Sequence, residues 1–352
     1  MVRPGLVLVL LVAGCTVLGG CLAAVASGPP GPEASATGTV PITPTPLPAW
    51  RVAYTELTGA NLALWMLYAA DLARAHGLAV TLEQRSEREA YAALAAGEIE
   101  AVVGSGTAAL VALAEGTDLT VVAGLVNVSP YRLMVAPGIE GANALRGLRL
   151  GVGRPNSAQE VATRAALDLL HLLPGEEVPL LPIGSAAERF AALEAGVVQG
   201  AAVVPPDTVL LERLGFVTLI DLLARGAESP NTQVVVAGHL VREEPERVQH
   251  FVDALLEAIA LVKREPALAK RVLRYYLYTD DAAALEATYA LFGDRLLART
   301  PFPAERALRQ GWAKLLDQGS VPASPPATTF IQRRFVQAAI DSGLVGRLYD
   351  GR

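Results

Sequence analysis

The chain has 352 residues, 52% of them hydrophobic, and a formal net charge of -6. That length suits about two to three domains, and the apolar content suits sizeable cores. The charge is spread along the chain with no Lys/Arg cluster, which excludes nucleic-acid binding on electrostatic grounds.

The chain opens on an address. Arg3 gives a positive start, Leu6 to Val12 an apolar stretch, and small residues precede Cys15 and Cys21. Leu18-Gly-Gly-Cys21 and Val12-Ala-Gly-Cys15 both resemble the lipobox of a bacterial lipoprotein signal peptide, in which the thiol receives a diacylglycerol and the preceding segment is removed. Cys21 is preferred, with Cys15 as the alternative, because cleavage before Cys15 leaves only about eight apolar residues against an h-region of about 7 to 15. An uncleaved anchor is the competing reading, although about 16 apolar residues are marginal against the roughly 20 that span a bilayer. Either way the protein is expected to be exported and held at the outer face of the cell membrane, touching it only through the anchor. These two cysteines are the only ones. The folded part is therefore expected to carry no disulfide, no thiolate nucleophile and no cysteine metal site.

Residues 22–48 are rich in Pro, Gly, Ala, Ser and Thr, with Glu33 as the only charge. They read as a tether with a reach of roughly 30 Å. Beyond it, residues 51–55 are predicted to form a strand, 60–76 a helix and 78–83 a second strand. A helix ending at Ala96 and Gly97 then delivers a strand over 99–103. Gly104, Ser105, Gly106 and Thr107 open the next apolar helix. Strands are predicted over 121–128 and 131–137, the second carrying the chain toward another lobe, and a β-rich run at 232–237 is the return crossing, the two forming a hinge.

A duplication organises this stretch. Residues 86–104 and 185–203 superpose at an offset of 99 residues, with identities at Ser86/Ser185, Glu89/Glu188, Ala92/Ala191, Ala93/Ala192, Leu94/Leu193, Ala96/Ala195 and Gly97/Gly196. Each copy reads as a helix, a glycine stop and a buried Val/Ala strand. The same offset aligns residues 51–54 with 150–153. Two similar α/β lobes follow, with a cleft between facing strand ends where a small molecule is gripped. The expected lobes are 49–134 with 235–350, and 135–234. The last third is helical, from Pro245 with a stripe of Val248, Phe251, Val252, Leu255, Leu256 and Ile259, then from Pro266, Asp280 and Pro303, with Gly319 as a terminator. Having no counterpart in the second copy, these helices should enlarge the first lobe.

Several segments together resemble the solute-binding proteins of ABC importers for nitrate, sulfonates, taurine and thiamine-pyrimidine precursors. They are Gly138-Ile-Glu-Gly-Ala-Asn-Ala-Leu-Arg-Gly147 leading into Leu148-Arg-Leu-Gly-Val-Gly-Arg-Pro-Asn-Ser157; residues 191–206, ending Ala-Val-Val-Pro-Pro206; and residues 244–259, from Glu244-Pro-Glu-Arg-Val to Ile259. The resemblance covers roughly residues 49–335. It implies an α/β, two-lobed periplasmic binding protein type II fold. Each lobe is then a mixed, mostly parallel sheet flanked by helices, with a helical C-terminal extension on lobe 1. It implies hinge closure on a small-molecule solute, docking of a monomer on a membrane permease, and no chemistry on the ligand. Gln199, where the family often has Asp, and Val204-Pro-Pro206, which lacks an aromatic often found there, depart from the pattern and bear on ligand identity.

Four loops at strand ends are the candidate cleft lining. The first, residues 54–61, supplies Tyr54, Thr55, Thr58, Gly59 and Asn61, whose hydroxyls, amide and free N–H groups precede a helix. Ser105, Gly106 and Thr107 form the second, where glycine lets backbone approach a ligand closely. Arg154, Asn156 and Ser157 combine a cation, an amide and a hydroxyl at a helix start, the best anion site in the chain, and Pro205 and Asp207 end the last repeat strand. Each has a plainer account, since Ser, Thr and Asn before a helix are ordinary N-caps. Glu56 reads as support for the first helix dipole. Tyr131, like Tyr54, is either a stacking platform or packing. The four histidines have no metal-site spacing, and neither a metal nor a cofactor is expected. Asp280 and Asp281 read as first-turn acids, and Tyr275, Tyr276 and Tyr278 as partly buried packing. A receptor for an oxyanion such as a sulfonate, nitrate or carboxylate leads. An enzyme of pyrimidine-precursor type on the same fold, and a lipoprotein presenting its ligand to a membrane sensor, are the alternatives.

Overall fold

The computed structural model describes residues 46–317 and 330–350. Cys15, Cys21, the tether up to residue 45 and Gly319 lie outside the described residues. Ten strands are described: β1 (Ala49–Tyr54), β2 (Ala79–Gln84), β3 (Ala101–Gly104), β4 (Leu119–Val128), β5 (Arg132–Val135), β6 (Leu150–Val152), β7 (Leu180–Pro182), β8 (Gly200–Val203), β9 (Val217–Asp221) and β10 (Glu228–Ala237). They build two five-stranded sheets, ordered β2-β1-β3-β10-β4 and β7-β6-β8-β5-β9.

The sheets follow one plan. In each, the first strand of the repeat runs parallel to its two neighbours, and the fourth strand in order is antiparallel to the third. That fourth strand is exchanged between lobes: β5 enters the second sheet directly after β4, and β10 returns to the first after β9. Strands β4 and β10 run antiparallel side by side, with Glu228 opposite Val128 where the chain passes between lobes. The architecture is the two-lobed α/β fold expected from the duplication.

The repeat is visible in detail. Helices Glu87–Ala95 and Ala186–Glu194 both start at a serine whose side chain accepts from the third helical amide, and in both the third-position glutamate reaches back to that serine. Both stop at a glycine in the left-handed region, Gly97 at φ 72° and Gly196 at φ 69°, where a Cβ is disfavoured. Strands β3 and β8 follow at the same spacing, all four residues of each buried.

The first lobe carries the larger core because both ends of the chain feed it. Helix Pro245–Arg264 buries its predicted stripe against the helix Leu62–Ala69, and Phe251 packs on Trp50 with ring centroids 5.2 Å apart. Each such side chain contributes roughly 1.5–3 kcal/mol by leaving water. At the far edge, Ile331 bridges to Val121 of β4 and Trp312 packs on Phe330, so the C-terminal helices cover that edge strand. The 60–76 helix is the main local departure. It is a 3-10 turn Gly59–Asn61, a helix Leu62–Ala69 and a short helix Leu72–Ala75, broken at Asp71, which adopts φ 49°. Residues 62 to 67 are all buried, because the helix lies between the first sheet and two later helices and is covered on every side. No helix among the described residues is long and apolar enough to cross a membrane.

Candidate functional site

A cavity of about 410 Å³ lies between the lobes, outside the carboxyl ends of the parallel strands. From the first lobe, Thr55 to Thr58 follow β1, Gln84 ends β2, Glu87 opens the Glu87–Ala95 helix, and Tyr276 to Tyr278 end the Pro266–Leu277 helix. The second lobe contributes Gly153, Arg154 and Ser157 after β6, Gly184 to Ala187 and Arg189 after β7, and Val204 to Asp207 after β8. Tyr131, between β4 and β5, lines the cavity where the lobes meet.

The first-lobe wall is acidic. Glu87 is 7% exposed; its Oε1 accepts from Thr55 Oγ1 at 2.8 Å and from the Ser105 amide at 3.2 Å, while Oε2 has no partner. Burial, reinforced by the charge of Glu56, pushes the Glu87 carboxyl up to about 8 against the two hydrogen bonds. Glu56 accepts from the Tyr131 hydroxyl at 2.9 Å, and burial and Glu56 hold that phenol well above the ordinary tyrosine range. Glu56 thus contacts Tyr131 across the lobes, a partner that the sequence does not announce.

The second-lobe wall is cationic at its surface and acidic behind. Arg189 donates to the Ile183 carbonyl at 3.0 Å, and Arg154 is exposed. Asp207, the first residue of helix Asp207–Arg213, is pushed up to about 6 by burial, with Arg189 opposing the rise. Ser157 lines the cavity and also caps helix Ala158–Leu169, accepting from the Glu160 amide at 3.2 Å. Two charged residues join the lobes outside the cavity: Arg213 forks onto Asp281, with Nη2 to Oδ1 at 3.2 Å. This pairing, foremost, with the Ala284 amide, holds the Asp281 carboxyl down at about 2.

Of the residues expected from sequence, Thr55, Thr58, Arg154, Ser157, Pro205 and Asp207 line the cavity. Tyr54 does not; it is core, edge-on to Trp65 at 5.9 Å and to Tyr276 at 6.3 Å. Gly59 faces Phe292 and Thr288, where a Cβ would come within 2.5 Å of the ring, so the glycine serves helix packing. Asn61 is buried and donates to the Glu56 carbonyl at 2.6 Å, which shapes the loop from behind. Ser105 caps its helix, and Gly106 lies against the backbone of Pro230, at 2.8 Å from a built Cβ, so that turn packs on the crossing strand. Thr107 follows it into the helix, and Asn156 adopts φ 65° with its amide on Glu160 at 3.3 Å; neither borders the cavity. Conversely, Tyr276 stacks on Trp65 at 4.5 Å and still borders the cavity, and Tyr278, 86% exposed, stands at its mouth instead of packing.

Sequence reasoning passed over Glu87, Arg189 and Gln84. The signal for the first two lay within the repeat: Glu87 aligns with Ala186, and Arg189 with Ala90, so two otherwise matching helix starts differ in a charged residue each. Among the described residues no group of His, Cys, Asp and Glu is arranged to hold a metal ion.

Comparisons place this geometry among known folds. A model of the NMT1-like family matches residues 43–275. No curated protein matches the sequence. The alkanesulfonate-binding protein SsuA from Xanthomonas axonopodis pv. citri, solved with MOPS bound, superposes with a TM-score of 0.63 at 20% identity, over 79% of this chain and 95% of that one. The periplasmic nitrate-binding protein NrtA from Synechocystis PCC 6803 gives a TM-score of 0.65 at 12% identity, over 84% and 89%. The desulfurization enzyme DszB gives 0.61 at 17% identity, over 83% and 99%. Transport proteins and an enzyme share the fold.

Proposed function

The chain belongs to the NMT1-like family, and from that premise we propose that it is the solute-binding component of an ABC importer, capturing a small molecule between its lobes and delivering it to a membrane permease. The observation that carries this reading is the interlobe cavity, whose volume of about 410 Å³ falls within the range of small-molecule sites of about 300–1,000 Å³ and whose walls come from both sheets. Closure of the lobes on a ligand requires such a shared wall. Arg154, Arg189 and the helix starts at Ser157 and Ser185 suit an oxyanion, a sulfonate, nitrate or carboxylate, on the second-lobe side. The protein works as a monomer, exported and held at the outer face of the cell membrane through a lipid on Cys21, or on Cys15. It transforms nothing; the ligand leaves as it entered.

A thermal-shift screen of the purified protein against sulfonates, carboxylates, nitrate, pyrimidines and amines tests this. A ligand bound only by the folded state at a hundred times its Kd adds about 2.7 kcal/mol and raises the melting temperature. Turnover of a binding compound would instead favour an enzyme, the reading to which the fold of DszB lends support. Genetic linkage to a sensor kinase rather than a permease would favour a ligand-presenting lipoprotein.

A further inference from the structure

Glu87 has a feature its helix does not explain. The helix start is already served by an acid, since Glu89 accepts from the Ser86 amide at 3.0 Å and closes the capping box. The repeat shows that a second acid is dispensable there, because Ala186 occupies the equivalent position above an equivalent capping box. Yet Glu87 is buried at the cavity wall, with Oε1 fixed by Thr55 and Ser105 and Oε2 without a partner. A buried oxygen left unpaired costs about 1–3 kcal/mol, and more when it carries charge.

The titratable groups that act on it are Glu56 from the loop after β1, Tyr91 one turn on in its own helix, and Tyr131 from the crossing segment. None is a cation. The cations lining the cavity, Arg154 and Arg189, belong to the other copy, where Arg189 stands in the position that Ala90 holds in the first. One half of the duplicated unit therefore presents the unpartnered carboxyl of Glu87 to the cavity, and the other half the guanidinium of Arg189, which acts on the buried Asp207 behind it.

We propose that Glu87 selects the ligand's nitrogen: a cationic ammonium or amidinium group seats against its Oε2, while an acceptor group of the same molecule faces Arg189 from the opposite lobe. The inference rests on the receptor reading above and names the bipolar class of solute it takes. The arriving cation supplies the missing hydrogen bonds and offsets the repulsion between Glu87 and Glu56. A carboxyl held protonated in the empty cavity gives up its proton when the cation docks, so affinity rises with pH until the carboxyl is ionised unaided, near pH 8.

The test is titration calorimetry of the full-length protein and its Glu87→Gln variant with two matched pairs of probes, 4-aminobutanoate against butanoate and 4-amidinobenzoate against benzoate. Repeating the wild-type titrations at pH 7 in two buffers of different ionisation enthalpy reads proton release without any substitution. The expected result has three parts. The nitrogen-bearing member binds at least tenfold tighter than its partner, its binding releases a proton, and the preference vanishes in Glu87→Gln, which still takes the plain anion. Equal affinity within each pair, or a preference that survives in Glu87→Gln, overturns the assignment. Binding of the plain anions alone, or silence of the whole panel, removes this assignment, whereas the receptor reading falls only if the wider thermal-shift screen is silent as well.

Discussion

Ionisation of Glu87 should weaken the ligand-free fold, and replacing it with Gln should abolish that effect. Its carboxyl is raised from 4.5 to about 8, chiefly by burial and then by Glu56. An acid whose folded value lies above its unfolded value binds more protons folded than unfolded between the two, so stability is full below about pH 4.5, falls as the pH rises, and levels off above about pH 8. At about 1.4 kcal/mol for each pH decade the loss has a ceiling of about 5 kcal/mol. The fold relaxes around a buried charge, so the expected loss lies below that ceiling, at about 2 to 3 kcal/mol. Gln keeps an oxygen for Thr55 and Ser105 and carries no charge at any pH. Urea unfolding of both proteins at one-unit steps from pH 5 to pH 9 isolates the residue, because the two chains differ at that side chain alone. The two curves should diverge by that amount, the variant gaining on the wild type as pH rises. Parallel curves would refute the argument that this side chain is buried without a counter-charge.

Other expectations follow from the same geometry. Arg154→Ala should weaken binding of an anionic solute at least tenfold, about 1.4 kcal/mol, and unchanged affinity in calorimetry would dismiss the cation from the site. At Gly104 an added Cβ would lie 2.5 Å from Thr55 Oγ1 and 3.0 Å from Glu87 Oε2. Gly104→Ala should therefore dislodge Thr55 from Glu87, costing about 1–3 kcal/mol in urea unfolding together with a tenfold or greater loss of solute affinity; wild-type binding would show that the pair does not shape the cavity. Arg213→Ala removes the ion pair that joins the lobes at Asp281, and the ligand-free protein should show a larger radius of gyration by small-angle scattering. An unchanged radius would mean that this pair holds nothing closed.

The sequence was most legible where local rules and the repeat agreed. Ser86 and Ser185 each announce a capping box, Gly97 and Gly196 each announce a stop, and Pro245 announces a helix whose stripe is buried as its period requires. It was less legible where a residue obeys a local rule and also serves the cavity. Glu87 at a helix start reads as an ordinary dipole acid, and Tyr276 as packing, until the fold sets both beside the other lobe. Tyr54, Asn61 and Gly106 sit at strand ends as ligand loops do but face inward or against Pro230, which no local signal announces. The helix expected over 60–76 misread the chain for a related reason. Its apolar residues run continuously, so periodicity carries no information about where it breaks, and the left-handed turn at Asp71 leaves no apolar signature.

What the sequence determined alone is the doubling and those element ends that carry a local signal, a cap, a stop or a proline, set by contacts within a few residues or by comparison of the chain with itself. Tertiary structure decided which loops meet. The exchange of β5 and β10 between sheets brings Thr55, Glu87, Arg154, Arg189 and Asp207 around one cavity from positions far apart in the chain. The protonation of Glu87 and Asp207 depends on that meeting, because the burial that raises both carboxyls exists only once the chain has folded around the cavity.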